Sequence, residues 1–138
     1  MLDDFSQCLV TNSRMAARAI TRRYDAYLRP YGLTATQLSL LGGLRALPGA
    51  TVSEMAEQRG FDRTTLTRNL DRLEAMGLVA ARHPARGNGR ISVITPEGDA
   101  LIDQLLPLWR KAQADIKAEL SRDTFDDSIK TLKRLAKV

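Results

Sequence analysis

Apolar residues recur at intervals of three or four along most of this 138-residue chain, which is the spacing of α-helices that bury one side. The first such run ends at Pro30 and Gly32 and comprises Leu9, Ala16, Ile20, Tyr24, Tyr27 and Leu28. Its opposite side carries an arginine at every fourth position, Arg14, Arg18 and Arg22. The pattern predicts a first helix over about residues 8–29 with an apolar side and a basic side.

The next three apolar runs are short, and each follows a residue that commonly caps a helix. Thr34 precedes the second predicted helix, Thr51 the third and Asp62 the fourth. Gly60 ends the third helix, and Gly77 follows the fourth as a C-terminal cap. The apolar positions of the fourth helix share one side, Leu66, Leu70 and Leu73. These leucines are predicted to fix the helix to a core, so its opposite side is presented rigidly to solvent.

Between residues 79 and 94 the pattern changes to that of a β-hairpin. Asn88 and Gly89 form a strong tight-turn signal between two short runs of β-forming residues. Arginines lie at the base and tip of this predicted hairpin, Arg82, Arg86 and Arg90. The chain is therefore predicted to be mainly α-helical with one small β-hairpin.

Two more helices are predicted after the hairpin. Thr95 and Pro96 have the order of a cap and a first helical residue, and they open a fifth helix that reaches about residue 119. Pro107 is expected to kink it. A sixth helix over about residues 123–137 gathers four apolar residues on one side, Phe125, Ile129, Leu132 and Leu135.

Charge is distributed unevenly along the chain. The net charge is +5; residues 1–90 contain 13 arginines against 8 acidic residues, whereas residues 91–138 contain 8 basic and 8 acidic residues. Arginine binds phosphates and guanine edges through a planar fork, so an excess made only of arginine favours a nucleic-acid partner. A solvated basic face explains the same excess, and charge alone leaves both interpretations open.

Two short helices around a glycine, followed by a basic hairpin, are the elements of a winged helix-turn-helix. The predicted DNA contacts of the fourth helix are groups that bond base edges and phosphates, Arg63, Thr64, Thr65, Thr67, Arg68, Asn69 and Arg72. Those of the hairpin, or wing, are Arg82, His83, Arg86 and Arg90. The competing hypothesis is an architectural or protein-interaction module that keeps the winged shape without reading DNA sequence.

The stretch TVSEMAEQRGFDRTTLTRNLDRLEAMGLV, followed by a basic hairpin and TPEG, resembles the MarR-type transcriptional regulators. The flanking helices match in order across nearly the whole chain, residues 1–138, as one domain. The resemblance implies a winged helix-turn-helix over about residues 34–95 and dimerisation helices over about 5–30 and 96–138. It also implies a homodimer on an inverted-repeat operator in double-stranded DNA. No aspartate precedes the tip arginine as in the usual family pattern, which leaves open whether Arg86 or Arg90 enters the minor groove.

A homodimer is also expected from the residues themselves. About 40 residues follow the predicted winged core, and they include Leu101, Leu105, Leu108, Trp109, Ile116, Leu120 and Ile129. This is more apolar surface than one helical pair leaves in water, so a partner is expected. The alternative is that these helices fold back on their own subunit.

Two sites are candidates for regulation of a repressor of this kind. A pocket for a small aromatic or phenolic effector, which the resemblance suggests, would be formed by Met15, Tyr24, Tyr27 and Trp109, although apolar residues at helical spacing more often belong to the core. Some MarR-type proteins sense peroxides through a cysteine near the start of the first helix. Cys8 has no basic residue close in sequence, so a buried structural role is favoured over redox sensing.

Other classes of function find little support in the sequence. No apolar stretch approaches the length needed to cross a bilayer, and the first 30 residues lack a secretory signal, so no membrane partner and a cytoplasmic location are expected. One cysteine and one histidine do not make an ordinary zinc site, and no metal or other cofactor is expected. Because phosphate-loop, dinucleotide-binding and metalloprotease motifs are missing, we do not expect an enzyme.

Overall fold

The computed structural model describes residues 4–83 and 89–137, and in this part of the chain it has six α-helices and one antiparallel pair of strands. The elements are α1 (Leu9–Leu28), α2 (Ala35–Ala46), α3 (Val52–Arg59), α4 (Arg63–Ala75), β1 (Val79–Arg82), β2 (Ile91–Ile94), α5 (Pro96–Leu120) and α6 (Arg122–Ala136). Short 3₁₀ turns precede and follow α1, at Phe5–Gln7 and Arg29–Tyr31. The mainly α-helical fold with a small hairpin is confirmed.

The residues predicted to cap α2, α3, α4 and α5 do cap them. Thr34 forms a complete capping box, because its hydroxyl accepts from the backbone N–H of Gln37 and the Gln37 side chain accepts from the Thr34 N–H. Thr51, Asp62 and Thr95 each accept a backbone N–H from the first turn of the helix that they open. These bonds satisfy donors that would otherwise have no partner, so each helix begins at a defined residue.

The core lies where α2, α4 and α5 meet beneath the hairpin. Its largest fully buried side chains are Leu28, Leu40, Leu41, Met55, Leu66, Leu70, Leu73 and Leu105. The three leucines of α4 are each 0% exposed, as predicted from their shared side of the helix. Burial of this extent fixes the rotation of α4 about its axis and therefore the direction of its polar side.

Close packing joins the hairpin to the start of α5. A Cβ atom on Gly98 would lie 2.3 Å from the carbonyl oxygen of Leu78 and 2.7 Å from Cγ1 of Ile94, so only glycine fits this first turn. The Thr95 hydroxyl also donates to the carbonyl of Gly77 at 2.7 Å. The end of α4, the strands and the start of α5 therefore form one tightly connected junction.

The hairpin pairs β1 with β2 in a simple antiparallel register from Val79↔Ile94 to Arg82↔Ile91. Thr51, just before α3, forms an isolated bridge with Ile91, which ties β2 to the start of α3. The predicted turn residue Asn88 and the predicted tip contact Arg86 lie outside the described residues. The paired strands on either side of them have the arrangement predicted for a wing.

Polar contacts hold α5 against α1 and α2. Arg45 of α2 pairs with Asp99 and Asp103 of α5, in each case at 2.9 Å. Between α1 and α5 the bonded pairs are Arg23 with Glu119, Tyr24 with Gln113, and Tyr27 with Asp115. The bond from the Tyr27 hydroxyl is the main cause of a lowered pKa of Asp115. Helix α5 runs without a break through Pro107.

The apolar residues after residue 95 fall into two groups. Their own chain covers or half-covers Leu101, Leu105, Leu108 and Ile116, whereas Trp109, Leu120 and Ile129 stay exposed. The first group did not need a partner, because α5 packs on α1 and on the winged core. Further apolar side chains are exposed on α1 and α6, namely Leu9, Val10, Met15, Ile20, Leu132 and Leu135. In the described part of the chain, α1 to α6 include no helix that is long and apolar enough to span a bilayer.

Candidate nucleic-acid interface

The outward side of α4 forms a shallow groove. It has a volume of about 470 Å³ and is lined by Arg63, Thr64, Thr67, Arg68 and Asp71. Thr64 and Arg68 project opposite the buried leucines, because residues of a helix advance by about 100° each. A single helix with this outward side fits the roughly 12 Å major groove of B-DNA, where arginine bonds guanine and threonine bonds a base or contacts a thymine methyl.

The arginines of α4 have no carboxylate partner among the described residues. Arg63, Arg68 and Arg72 are exposed, and none of them lies within 4.0 Å of an acidic oxygen in that part of the chain. Arg23 and Arg45, by contrast, are both engaged in ion pairs with α5. The guanidinium groups of α4 are therefore ready to bind an anionic partner without first breaking an ion pair of this kind.

Thr65 and Asn69, two other predicted contacts, are already hydrogen-bonded within α4. The Thr65 hydroxyl donates to Oδ2 of Asp62 at 2.7 Å, and Nδ2 of Asn69 donates to the Thr65 carbonyl at 2.9 Å. The backbone N–H of Thr65, and then its hydroxyl, lower the pKa of Asp62, which keeps this cap ionised. Both side chains are half-buried, so they stabilise the start of α4 in the free chain.

The wing residues differ in their surroundings. Arg82 and His83 are exposed at the end of β1, and no ion pair forms between either of them and a described carboxylate. The Arg90 guanidinium instead donates to Oδ1 of Asp71 at 2.7 Å and to Oε2 of Glu74 at 3.0 Å, and its side chain is only 27% exposed. The sequence predicts Arg90 as a DNA contact of the wing, but in this structure its guanidinium is already paired with two carboxylates of α4.

A cavity of about 480 Å³ lies between α1, α2 and α5. Most of its lining is apolar or aromatic, with polar groups from Thr21, Ser39 and Arg59. Of the four residues predicted for an effector pocket, Tyr24 and Trp109 line this cavity, and Met15 and Tyr27 do not. Met15 precedes Tyr24 by nine residues, which places it on the opposite side of α1, where it is 64% exposed. The Tyr27 hydroxyl donates to Asp115 instead.

The cavity also includes residues that the sequence did not single out for a site. Leu38, Leu105 and Leu106 belong to apolar runs of the core, and Arg59 lies in the last turn of α3. The signal for these residues is not local, because the cavity exists only where α1, α2 and α5 pack with a gap between them. Arg59 places a cation beside this mainly apolar cavity. It belongs to α3, the helix that precedes α4.

Cys8 lies at the N-terminus of α1, where it is the residue before the first helical turn. Its side chain is partly buried in this single chain, and the structural role favoured from the sequence stays a prediction. The backbone N–H of Thr11, followed by the Thr11 hydroxyl, lowers the pKa of the Cys8 thiol. Free N–H groups at the start of a helix favour an anion, and so they stabilise the thiolate in place of a basic side chain.

Comparisons with known proteins agree with this geometry. A family model described as MarR family matches residues 31–91. The multiple antibiotic resistance protein MarR of Salmonella typhimurium is 31% identical over 117 residues, which are 84% of this chain and 79% of that protein. The crystal structure of the M. tuberculosis transcriptional regulator MosR is 35% identical with a TM-score of 0.83, and the match covers 97% of this chain and 98% of that chain. A structure of the same regulator in complex with DNA is 34% identical with a TM-score of 0.84, and covers 95% of each chain.

Proposed function

Since this chain belongs to the MarR family of DNA-binding transcriptional regulators, we propose that it acts as a homodimeric repressor that binds an inverted-repeat operator. The observation that carries the proposal is the outward side of α4, where threonines and arginines that form no ion pair with the described residues line a groove on a helix whose leucines are buried in the core. The complex of MosR with DNA supports the same partner for this chain.

In the proposed complex, α4 lies in the major groove. Thr64 and Arg68 then face the base edges, since they project farthest from the leucine side. Arg63 and Arg72, on the flanks, bind phosphates, and Arg82 extends the basic surface toward the wing. Contacts of these two kinds provide sequence discrimination and salt-dependent affinity respectively, and an architectural module needs only the second.

The homodimer follows from the apolar side chains that the isolated chain leaves uncovered. They lie on α1 and α6, outside the winged unit, and they include residues at both chain ends. Pairing these helices with those of a second copy around a two-fold axis removes the side chains from water. The same axis sets two α4 helices about one DNA turn, roughly 34 Å, apart, which matches an inverted repeat.

The cavity beside α1 is the proposed effector site. A volume of about 480 Å³ suits a small aromatic or phenolic compound. Arg59 favours an ionised oxygen on that compound, while Tyr24 and Trp109 provide aromatic contacts. The lining residues belong to α1 and α5, which are proposed dimerisation helices, and to α2 and α3 of the winged unit. A ligand that fits a different separation of these helices therefore changes the spacing of the two α4 helices and releases DNA.

The first experiment is fluorescence-anisotropy binding to the DNA upstream of the protein's own gene. A shuffled duplex of equal length is the control, and both are measured across a salt series. We expect tighter binding to the native fragment that persists at physiological salt. Equal binding to both duplexes, with an affinity that collapses as salt rises, would support the architectural alternative, and selection from random duplexes would then locate any operator elsewhere.

Release by oxidation is a second candidate, and the lowered pKa of Cys8 favours it. The Cys8 thiolate would attack one oxygen of hydrogen peroxide and break the O–O bond, which leaves a sulfenic acid on the protein and a hydroxide that a solvent proton converts to water. We expect peroxide to weaken operator binding by the wild type and to leave a Cys8→Ser variant unaffected. If peroxide weakened operator binding equally in wild type and Cys8→Ser, Cys8 would not be the residue through which peroxide acts.

A further inference from the structure

Arg90 joins the base of the wing to α4 through two ion pairs. One guanidinium nitrogen lies 2.7 Å from Asp71 and the other 3.0 Å from Glu74. The two carboxylates are three residues apart on α4, so their side chains lie on neighbouring parts of its surface and one planar fork reaches both. The geometry accounts for the low exposure of the Arg90 side chain.

The backbone of Arg90 is held from a different direction. The N–H of Val52, in the first turn of α3, donates to the Arg90 carbonyl at 2.9 Å. The next residue, Ile91, forms the bridge with Thr51. At Arg90 the returning strand of the wing is therefore fixed to α3 through its backbone and to α4 through its side chain.

Asp71, one of the two partners of Arg90, also lies at the proposed DNA-binding surface. It lines the groove of α4 together with Arg63, Thr64, Thr67 and Arg68. A carboxylate at a surface that meets DNA repels phosphates unless a cation compensates it. Arg90 supplies that cation from the side of the wing, and Glu74 shares it.

We propose that Arg90 is a positioning residue for DNA binding and does not itself contact a phosphate. It holds the wing against α4 and compensates the charges of Asp71 and Glu74. The arginines of α4, which form no ion pair with a carboxylate in the described part of the chain, bind the DNA. This inference rests on the proposed function, because it requires the α4 groove to face DNA. It assigns Arg90 a different role from Arg82, which has no such ion pair with the described residues.

The test is operator binding by Arg90→Met in two backgrounds, wild type and the double variant Asp71→Asn, Glu74→Gln. We expect Arg90→Met to weaken binding about 10-fold in the wild type, because two carboxylates are left uncompensated. In the double variant the same substitution should cost less than about 3-fold, since no carboxylate remains to be compensated. Arg68→Met is the matched control and should weaken binding similarly in both backgrounds.

A direct phosphate contact gives the opposite result. Arg90→Met would then lose the same affinity in both backgrounds, and the slope of log affinity against log salt would fall in magnitude by about 0.9. That outcome would overturn the proposal. A loss confined to the background that retains both carboxylates is not produced by a phosphate contact or by general unfolding.

A second measurement needs no DNA and separates this inference from the proposed function. The amide of Val52 reports on the wing directly, because its N–H is bonded to the Arg90 carbonyl. We expect Arg90→Met to speed hydrogen exchange at Val52 several-fold and Arg82→Met to leave it unchanged. Unchanged exchange in Arg90→Met would refute the positioning role. If the wild type bound no DNA at all, the proposed function would fail, and exchange would still decide how Arg90 holds the wing.

Discussion

Helices α1 and α4 have similar sequence patterns but differ in what covers them. Each has apolar residues on one side and arginines four residues apart on the other. The leucines of α4 are fully buried within their own chain, whereas Leu9, Val10, Met15 and Ile20 of α1 remain between 42% and 64% exposed. The chain therefore sets the orientation of α4 by itself, whereas the described residues leave the apolar side chains in the first half of α1 uncovered.

The comparison teaches that an amphipathic pattern reports a buried side without reporting what buries it. For α4 the partner is the core, so its arginines are presented in a fixed direction before any DNA is present. For α1 the proposed partner is a second copy of the chain. The two helices therefore respond differently to substitution, and this difference can be measured.

The largest effect is expected for a leucine of α4. Leu70→Ala should lower the free energy of unfolding by about 2–5 kcal/mol, because it removes a fully buried side chain and leaves a cavity. Urea unfolding at a fixed protein concentration measures the change. Met15→Ala, at an exposed position of α1, is the control and should cost much less at concentrations where the protein is monomeric. Equal losses in the two variants would contradict the contrast between the helices.

A smaller effect is expected for an arginine of α4. Arg68→Ala should weaken operator binding by about 10- to 100-fold and leave binding to a shuffled duplex nearly unchanged, because the proposed base contact is lost. Arg18→Ala, in the arginine row of α1, is the matched control and should bind operator like the wild type. Anisotropy with both duplexes distinguishes the two. If Arg68→Ala weakened both duplexes equally, Arg68 would be a phosphate contact.

For the apolar side of α1, the expected effect is on association. Val10→Ser should raise the dimer dissociation constant about 10-fold, since an exposed valine of the isolated chain becomes buried in the proposed dimer. Analytical ultracentrifugation across a concentration series gives the constant. The same constant for Val10→Ser and wild type would place the interface elsewhere.

The smallest effect is expected for the cap of α4 in acid. The folded pKa of Asp62 is lowered, so its ionised form stabilises the fold above its ordinary pKa, and this contribution is lost as the pH falls through the folded pKa. Asp62→Asn keeps a capping side chain and has no charge to titrate. We expect the stability advantage of wild type over Asp62→Asn to begin to decline below about pH 3.8 and to be lost once the pH is below the lowered folded pKa of Asp62. A constant difference across the titration would show that ionisation of this cap does not contribute.

The elements predicted well from the sequence are those fixed by local chemistry. Thr34 and Asp62 mark helix starts through bonds within four residues, and Gly60 ends α3 in the left-handed conformation. The prediction that the leucines of α4 share one buried side required only the periodicity of an α-helix. The residues that line the α4 groove could then be predicted, because the buried side of a helix determines which of its residues face solvent on the opposite side.

The features that were missed depend on contacts between distant elements. The ion pairs of Arg90 require the hairpin to pack beside α4, and the cavity requires α1, α2 and α5 to leave a gap near Arg59. Two further features could have been found from local geometry in the sequence. Helical angles separate Met15 from Tyr24 on α1, and a thiol placed just before a helix start has N–H groups beside it even when no basic residue is near Cys8.

The close packing at Gly98 fixes the first turn of α5 to the winged unit. Its 25 residues span about 37 Å, and its first turn is pressed against the carbonyl of Leu78 with the Thr95 hydroxyl attached to the end of α4. A tilt of roughly 5° about its first turn displaces the far end of a rigid helix of that length by about 3 Å. In the proposed release of DNA, a displacement of about 3 Å at the far end of a rigid α5 would correspond to only a small rotation of the winged unit. Such a rotation would change the direction of the α4 arginines without a large rearrangement of the chain.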